Sequence, residues 1–470
     1  MRYIYYPLLI ALSILISQIK IAAGAEEGRL DIISHDTTWS GNIFLDNGIL
    51  LEKGKTLTIT PGTTIILKRL PANKNNPVMR IEGNIKAIGT PDRIIEFNGV
   101  TGLPMSWDGI YFFDSSESEI SYSKILNSST AVTCEKSSPV LTNNTLANNI
   151  TGIKIIKECN PVIKENIIKN NMYGITCDEG GAPLVIKNLF EENNESGLTF
   201  KEGSNPSILE NTFNKNNIGI FSGHSPGSPI ISFNIFTENK YGLKFAQNTT
   251  LEIDNCIFMK NEFGIYGEMS THLHIINCLF KQNNTAISGK LKTFNLVEFC
   301  DIIENKIGIS LYILSDHEII HNNIYDNEIG IELVVSVPKI EWNNFNNFKY
   351  NIKLHKLSDE SYKKRKDPRG KLNFKFNWWG TAALKEIKES KKNLSTFYDY
   401  YDLPLDIDQG TMCHEDEIGY ENWQENKIDN AGIKENIKQE LKEKNMKIIQ
   451  QKLWRINPNK LKKENFNFNN

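Results

Sequence analysis

Arginine is scarce in this chain of 470 residues. Eight arginines occur, and none lies between Arg93 and Arg365. That gap excludes an enzyme mechanism with an arginine base over most of the chain. The net charge at pH 7 is −3, so no excess of one sign indicates nucleic acid or an anionic membrane as a partner.

Long apolar runs are absent after residue 25. No later segment approaches the roughly 18 continuous apolar residues of a membrane-spanning helix. Residues 1–25 are typical of an export signal: Arg2 supplies positive charge, residues 8–16 are mostly apolar, and Ala23-Gly24-Ala25 fits a cleavage site. A membrane anchor is the alternative. We expect cleavage after Ala25 and export to the periplasm, the cell surface or the medium, without a transmembrane segment.

The chain contains instead a motif that recurs every 22 or 23 residues and reads Asn-x-apolar-x-x-Asn-x-x-Gly-apolar. Clear copies begin at Asn144, Asn166, Asn211 and Asn234, and their glycines are Gly152, Gly174, Gly219 and Gly242. With Cys in the first position, the motif continues from Cys256 to Gly264 and from Cys300 to Gly308. A fixed period of this length indicates one supersecondary unit stacked on copies of itself.

The residues around each motif glycine predict three short strands per unit. Apolar residues alternate after the glycine, a second apolar position follows about eleven residues later, and the motif itself carries a recurrent Phe. Helical solenoids need longer units with amphipathic helices. The predicted fold is therefore all-β: a right-handed parallel β-helix solenoid of 21–23-residue rungs, followed by a short C-terminal helical tail.

Equivalent residues on neighbouring rungs would lie about 4.8 Å apart, so like side chains should form columns. We predict that the asparagines donate and accept amide hydrogen bonds along two such columns. The first column holds Asn144, Asn166, Asn188, Asn211 and Asn234, and the second begins with Asn149, Asn171, Asn194, Asn216 and Asn239. The glycines would supply a positive φ or a close-packed corner. These columns are interpreted as scaffold.

Cysteine is infrequent, with seven residues, and three of them fit the repeat. Cys256, Cys278 and Cys300 are 22 residues apart and replace Asn in the first column. A buried stack of thiols is the favoured interpretation, because parallel Cβ vectors suit a disulfide badly. An oxidised pair with a spare thiol and a Cu(I) site are the alternatives.

Composition divides the chain into five segments. We predict a signal peptide over residues 1–25, an N-terminal cap with the first rungs over 26–108, and regular rungs over 109–354. A basic loop and a closing segment follow over 355–410. Residues 411–470 form a polar tail, with a surface helix over about 431–454 that would dock on the solenoid or recruit a partner.

Several motifs together resemble a known family. They are the export signal, the Ile-Thr-Pro-Gly-Thr strand at 59–63, Trp-Asp-Gly-Ile at 107–110, the rungs, and Asn-Trp-Trp-Gly-Thr at 377–381. They resemble the secreted bacterial right-handed parallel β-helix repeat proteins of the pectate-lyase-like superfamily, over about residues 40–408. That superfamily includes polysaccharide-active enzymes, adhesin-like proteins and a periplasmic copper-delivery factor, so the resemblance implies the fold and no single function.

The rung over residues 308–330 is unusually rich in acidic residues and histidine. Two rungs earlier, His272 and His274 fall near the column of Asp316 and Glu318. The candidate binding residues are His272, His274, Asp316, His317, Glu318, His321 and Asp326. They could line a groove or hold a metal, and a solvated face with incidental histidines is the alternative. Since no spacing is typical of a metal site, we expect no metal and no other cofactor.

Three functions are compatible with the sequence. The favoured one is a non-catalytic scaffold that binds a polysaccharide or a cell-envelope protein along the ribbed surface. A lyase or hydrolase is the second, although the Asp-Asp and Gly-His-Gly signatures of polygalacturonases are missing. A periplasmic copper-handling factor is the third, although the Met and His residues that could bind copper are few and scattered.

Overall fold

The computed structural model describes residues 30–67, 77–355, 372–399 and 418–441, except 116, 225–226, 247, 294, 314, 316 and 335, together with 402 and 443. Over these residues, each turn of the chain contributes one short strand to each of three parallel sheets. The sheets are called sheet 1, sheet 2 and sheet 3 in the order in which the chain first reaches them. The predicted β-solenoid with three strands per rung is confirmed.

The strands are short and regularly spaced. Sheet 1 contains Asp31–Ile33, Ile49–Leu51, Val78–Ile81, Gly109–Phe113, Thr130–Glu135, Thr151–Ile156, Tyr173–Cys177, Ser196–Phe200, Ile218–Ser222, Tyr241–Phe245, Phe263–Glu268, Thr285–Lys290, Ile307–Tyr312, Ile329–Val334, Tyr350–His355 and Phe397–Tyr398. Sheet 2 contains Thr37–Trp39, Thr56–Ile59, Asn84–Ile88, Glu119–Ser121, Val140–Thr142, Val162–Lys164, Leu184–Ile186, Ser207–Leu209, Ile230–Ser232, Thr250–Asp254, His272–Ile276, Leu296–Glu298, Glu318–Ile320 and Lys339–Glu341. Sheet 3 contains Asn42–Leu45, Thr64–Leu67, Ile95–Gly99, Ser123–Leu126, Thr145–Ala147, Ile167–Lys169, Leu189–Glu191, Thr212–Asn214, Ile235–Thr237, Ile257–Met259, Leu279–Lys281, Asp301–Ile303, Asn323–Tyr325 and Asn344–Asn346.

The core is the interior of the solenoid, where the inward residues of the three sheets meet. Strands alternate between buried and more exposed residues, as the period-two pattern requires. The recurrent Phe forms an internal stack from Phe190 to Phe280, with ring centroids 4.6–5.0 Å apart and nearly parallel planes. At the C-terminal end, Trp379 continues the packing against Phe345, with ring centroids 4.7 Å apart.

Buried asparagines connect successive rungs at two corners. In the first column, the Asn166 amide donates to Asn188 Oδ1 at 3.0 Å and to the Leu141 carbonyl at 2.8 Å. In the second column, the prediction of Asn194 was wrong, because Asn193 accepts from Asn171 at 3.2 Å. The rung from Gly174 to Gly197 holds 23 residues, and its extra residue lies between Asn193 and Gly197. Counting three residues back from the glycine therefore reaches Asn194 and not Asn193.

The motif glycines are required by close packing and not by a positive φ. A Cβ on Gly152 would lie 2.4 Å from the carbonyl oxygen of Gly174, and one on Gly242 would lie 2.5 Å from that of Gly264. Neither Gly152 nor Gly242 has a positive φ. Of the two alternatives that the sequence left open, the close-packed corner is therefore the physical reason.

The described cysteines are free and buried. Cys256, Cys278 and Cys300 occupy the asparagine column, and each thiol donates to the backbone carbonyl two residues earlier at 3.3 Å. Burial raises the pKa of the Cys256 and Cys278 thiols well above their usual value. The favoured stack of thiols therefore matches the geometry, and Cys413 lies outside the described residues.

The C-terminal region closes the solenoid and folds back along it. Helix α1, Gly380–Lys388, covers the last rungs, and Leu372–Asn373 pairs with Ile418–Gly419 in a separate two-stranded sheet. The predicted tail helix is helical from residue 435 to 441, a later start than expected, and its continuation to 454 falls beyond the described residues apart from 443. The signal peptide and the basic loop at 363–367 also fall outside them. None of the helices in the described ranges has the length and hydrophobicity needed to span a bilayer.

Candidate binding site

Three of the predicted site residues lie on sheet 2. His272, His274 and Glu318 belong to its strands, and Glu318 pairs with Lys339 at 3.4 Å. His274 is held between two acidic side chains: its Nδ1 lies 3.1 Å from Glu252 Oε2 and its Nε2 lies 2.8 Å from Glu298 Oε1. Both ring nitrogens therefore already have partners. Asp316 lies outside the described residues.

His317 points into the solenoid and cannot share a surface with Glu318. Its side chain is 1% exposed, and its Nε2 lies 3.1 Å from Thr293 Oγ1 and 3.3 Å from Asn295 Nδ2. Burial lowers the pKa of His317 to about 3. The imidazole is therefore neutral at physiological pH and belongs to the core.

The last two predicted residues lie at different corners. His321 has a φ of 55° at the corner between sheets 2 and 3, where its ring stacks on Phe299 at 5.3 Å and on Trp342 at 6.3 Å. Asp326 has a φ of 52° at the corner between sheets 3 and 1. The described members of the predicted set are thus spread over one sheet face, the core and two corners, and they form no single site.

A denser group of side chains lies on the outer face of sheet 1. Tyr241 and Phe263 stack on neighbouring strands, with centroids 5.2 Å apart and planes 10° apart. Tyr266 packs edge-on against both rings, with centroids 5.3 Å from each and planes at 60° and 67°. Tyr241 and Phe263 remain partly exposed, whereas Tyr266 is buried. We call these three residues the aromatic cluster.

Lysines and one acidic residue border the aromatic cluster. The Lys244 ammonium lies 5.2 Å from the Tyr241 ring centroid and 5.7 Å from that of Tyr266, and Lys290 lies 5.3 Å from Tyr266. Such contacts attract a cation to the ring face. Burial and then a hydrogen bond to Glu268 raise the pKa of Tyr266, so its hydroxyl stays protonated. The result is a pair of stacked, partly exposed rings with charged hydrogen-bond donors beside them.

The local sequence explains why these side chains face outward together. In the strand Tyr241–Phe245, Leu243 and Phe245 are buried, while Tyr241 and Lys244 point outward. Parallel pairing places Tyr241 beside Phe263 and Lys244 beside Tyr266. This group was not predicted, because the prediction was based on the inward columns; the same register assigns outward neighbours equally well.

Contacts between cations and aromatic rings also occur near both ends of the same sheet. Near its N-terminal end, Arg80 lies 5.7 Å from the Tyr111 ring centroid and 4.9 Å from that of Phe113. Near its C-terminal end, Lys353 lies 5.9 Å from the ring of Tyr398. The aromatic cluster lies between them and has the most extensive ring contacts of the three.

Comparison with protein families agrees with this architecture. The family model described as the right handed beta helix region matches residues 30–188 and 108–258. The chain is a right-handed parallel β-helix repeat protein. No curated protein and no solved structure matches it significantly.

A second family model, described as the periplasmic copper-binding protein (NosD), matches residues 222–359 of the β-helix protein. This match points to an exported protein, and it includes the rungs that carry the aromatic cluster. The match supports the family of the copper-handling alternative and does not establish a specific function.

The described residues do not fit a surface copper site. No group of three or more His, Cys, Asp or Glu side chains in the described ranges is arranged to hold a metal ion. Cys256, Cys278 and Cys300 have the soft donors that Cu(I) prefers, but they are fully buried, and their thiols donate to backbone carbonyls. On the outer faces of the matched segment, His274 has both ring nitrogens engaged by Glu252 and Glu298, and His355 has its Nε2 engaged by Glu332.

Proposed function

We propose that this β-helix protein is an exported binding scaffold whose ligand is a glycan, and that the glycan binds at the aromatic cluster on sheet 1. The observation that carries the proposal is the partly exposed stack of Tyr241 and Phe263, which the buried Tyr266 supports and which Lys244 and Lys290 border. It lies on an open sheet face, where an extended chain can lie across successive rungs.

The chemistry of this surface suits a sugar better than a purely apolar ligand. A sugar ring presents a face of C–H groups, which packs against the negative face of an aromatic ring. Its edge carries hydroxyl groups, which need hydrogen-bond partners once they leave water. The lysine ammonium groups supply such donors beside the rings, and the Tyr266 hydroxyl is already engaged by Glu268.

The spacing of Glu268 and Glu332, two acidic residues on the face of the aromatic cluster, supports binding over hydrolysis at that face. Glu268 borders the aromatic cluster, and Glu332 lies on the same face three strands further along sheet 1. Three steps correspond to about 14 Å at the usual strand spacing. The paired carboxylates of glycoside hydrolases are closer, at roughly 5–9.5 Å. Glu332 is also engaged by His355 and by Ser310.

Glycan-array screening followed by calorimetric titration with the best ligand tests the proposal. We expect Tyr241→Ala with Phe263→Ala to abolish binding, while Tyr122→Ala, which removes the same type of ring at a corner between sheets 2 and 3, leaves it unchanged. A ligand that binds the double variant as tightly as the wild type would refute the location. Release of unsaturated or reducing sugars by the wild type would favour an enzyme instead.

Copper handling is the second candidate, and the family match over residues 222–359 favours it. A competition titration with a chromogenic Cu(I) chelator distinguishes the two functions. Our proposal expects less than one Cu(I) per chain under reducing conditions. Stoichiometric Cu(I) binding that disappears in Cys278→Ser would support the copper function and would require the thiol stack to open.

A further inference from the structure

The corner between sheets 1 and 2 changes its residue type beside the aromatic cluster. Strands of sheet 1 are followed at this corner by residues with a positive φ. In four successive earlier rungs these residues are charged and exposed: Lys136, Lys157, Glu179 and Glu202. In three successive later rungs they are apolar: Met269, Leu291 and Ile313. We call these three residues the apolar corner.

The apolar corner is a contiguous surface and not a set of isolated side chains. Met269 is 39% exposed, Leu291 is 42% exposed, and Ile313 is partly exposed. The Met269 N–H donates to the Lys290 carbonyl and the Leu291 N–H donates to the Tyr312 carbonyl, each at 3.0 Å, so neighbouring rungs stay in register here. Single exposed apolar residues are ordinary, whereas a contiguous apolar patch marks a contact surface.

Ile313 is an unusual residue for its backbone conformation. Its φ is 51°, and among the described non-glycine residues with a positive φ it is the only Ile, Val or Thr. A β-branched side chain disfavours this conformation, which Asn adopts more readily. Asn143 and Asn148, at other corners, have φ values of 56° and 58°. The fold does not require an apolar side chain at this position, so its presence there points to a contact.

The apolar corner is continuous with the aromatic cluster. The strand that begins at Phe263 passes through Tyr266 and leads directly into Met269. At the usual rise per residue, Tyr266 follows Phe263 by about 10 Å and Met269 follows Tyr266 by about another 10 Å. The Lys244 and Lys290 ammonium groups lie beside Tyr266, 5.7 Å and 5.3 Å from its ring centroid. Along the strand, the surface is therefore aromatic, then cationic, then apolar.

We propose that the ligand is a glycolipid, whose sugar packs on Tyr241 and Phe263 and whose acyl chain lies on the apolar corner. This inference rests on the proposed glycan function and adds the class of the ligand. A free sugar would leave the apolar corner in water, whereas an acyl chain removes it from water and gains affinity. A lipid without a sugar would leave the stacked rings and the lysines without a partner group.

Paired probes that differ only in the length of an alkyl chain test this proposal. The probes are the methyl and octyl glycosides of the glycan that binds best on the array, with methyl and octyl β-glucoside as a second pair. Both are titrated calorimetrically into the full chain, below the concentration at which the octyl form makes micelles. Each methylene group that is half buried on the open corner should contribute roughly a factor of two to the affinity. We therefore expect the octyl form to bind about 100-fold more tightly than the methyl form.

Two double variants locate the alkyl chain. Leu291→Asn with Ile313→Asn removes apolar side chains and supplies a residue type that the left-handed backbone accepts, so the variant should fold at least as well as the wild type. We expect it to bind the octyl and methyl forms equally and to keep the wild-type affinity for the methyl form. The matched control, Glu179→Asn with Glu202→Asn, changes the same position in earlier rungs and should keep the advantage of the octyl form. Thermal unfolding confirms that both variants are folded.

The outcomes separate this proposal from the glycan function. If the wild type binds the methyl and octyl forms equally, or if the advantage of the octyl form survives in Leu291→Asn with Ile313→Asn, the glycolipid proposal is wrong and the glycan function stands. If the octyl form alone binds, and Tyr241→Ala with Phe263→Ala leaves that binding unchanged, the ligand is an alkyl chain and both proposals are wrong. Binding of neither form in either pair also overturns both.

Discussion

Replacing one asparagine of the second column should destabilise the solenoid far more than an ordinary surface change. Asn216 is 2% exposed, and its side chain takes part in four hydrogen bonds. Its Oδ1 accepts from the backbone N–H of Asn193 at 3.0 Å and from the Asn193 amide at 2.9 Å. Its amide donates to the Phe190 carbonyl and to Asn239 Oδ1, each at 3.1 Å.

The magnitude for Asn216→Ala follows from the groups that lose their partners. The Asn193 N–H becomes a buried donor without an acceptor, which costs about 1–3 kcal/mol. The remaining lost bonds contribute roughly 1 kcal/mol each. With three remaining bonds, we therefore expect the free energy of unfolding to fall by about 4–6 kcal/mol.

Asn216→Asp provides a sharper test, because it keeps the shape and changes the donors. A carboxylate would still accept from Asn193, but its second oxygen would face two acceptors, the Phe190 carbonyl and Asn239 Oδ1. Its folded pKa should therefore be raised above the unfolded value. The folded state then binds the proton more tightly, so the loss of stability should be larger at pH 7 than at pH 4.

Urea unfolding followed by circular dichroism measures these effects, and amide hydrogen exchange at Asn193 reports the local opening. The matched control is Asn217→Ala, which removes the neighbouring, partly exposed side chain. The reasoning is refuted if Asn216→Ala and Asn217→Ala differ by less than about 0.5 kcal/mol, the usual range of surface substitutions. It is also refuted if Asn216→Asp shows no dependence on pH.

Two other changes test the core. Phe236→Ala should cost about 3–5 kcal/mol, because the ring stacks on Phe213 at 5.0 Å and on Phe258 at 4.8 Å, whereas Phe236→Leu should cost much less. Thermal unfolding of the two variants measures the difference, and equal melting temperatures would contradict the stacking account. His317 has a folded pKa of about 3 against 6.5 for the free side chain, so between these values the unfolded state binds a proton that the folded state does not. The free energy of unfolding should therefore fall on acidification below pH 6.5, by up to about 1.4 kcal/mol per pH unit. Urea unfolding at pH 7, 5 and 4 measures this decline, which should be smaller in His317→Asn. Equal declines in the variant and the wild type would contradict the assignment.

The fold could be predicted because its determinants repeat. A glycine that meets the next rung's carbonyl oxygen cannot be replaced easily, so the spacing of Gly152, Gly174 and Gly242 carries the register directly. The error at Asn194 has the opposite origin. Counting back from the glycine fails where the extra residue of a 23-residue rung is inserted between the asparagine and that glycine.

The candidate site could not be predicted in the same way. His317 and Glu318 were grouped because acidic residues and histidines are concentrated in one rung. Successive residues of an extended chain point to opposite faces, however, and His317 is buried while Glu318 is exposed. Tyr241 and Phe263 are 22 residues apart and come together only through the pairing of two strands. Their proximity is visible in the sequence only after the register has been assigned.

The outer positions of the solenoid carry what distinguishes one rung from another. An inward position must fill the same space on every rung, so it is restricted to a few apolar residues. An outward position has no such restriction, and the outer column of sheet 1 reads Ile218, Tyr241, Phe263 and Thr285 in succession. The change from apolar residues to Asp301 on sheet 3 has the same character, because Ile433 and Lys438 of the C-terminal segment dock on Asp301. In this protein, therefore, a departure from the pattern on an outer column indicates a surface that contacts something outside the rung, and the proposed glycan site rests on such a departure.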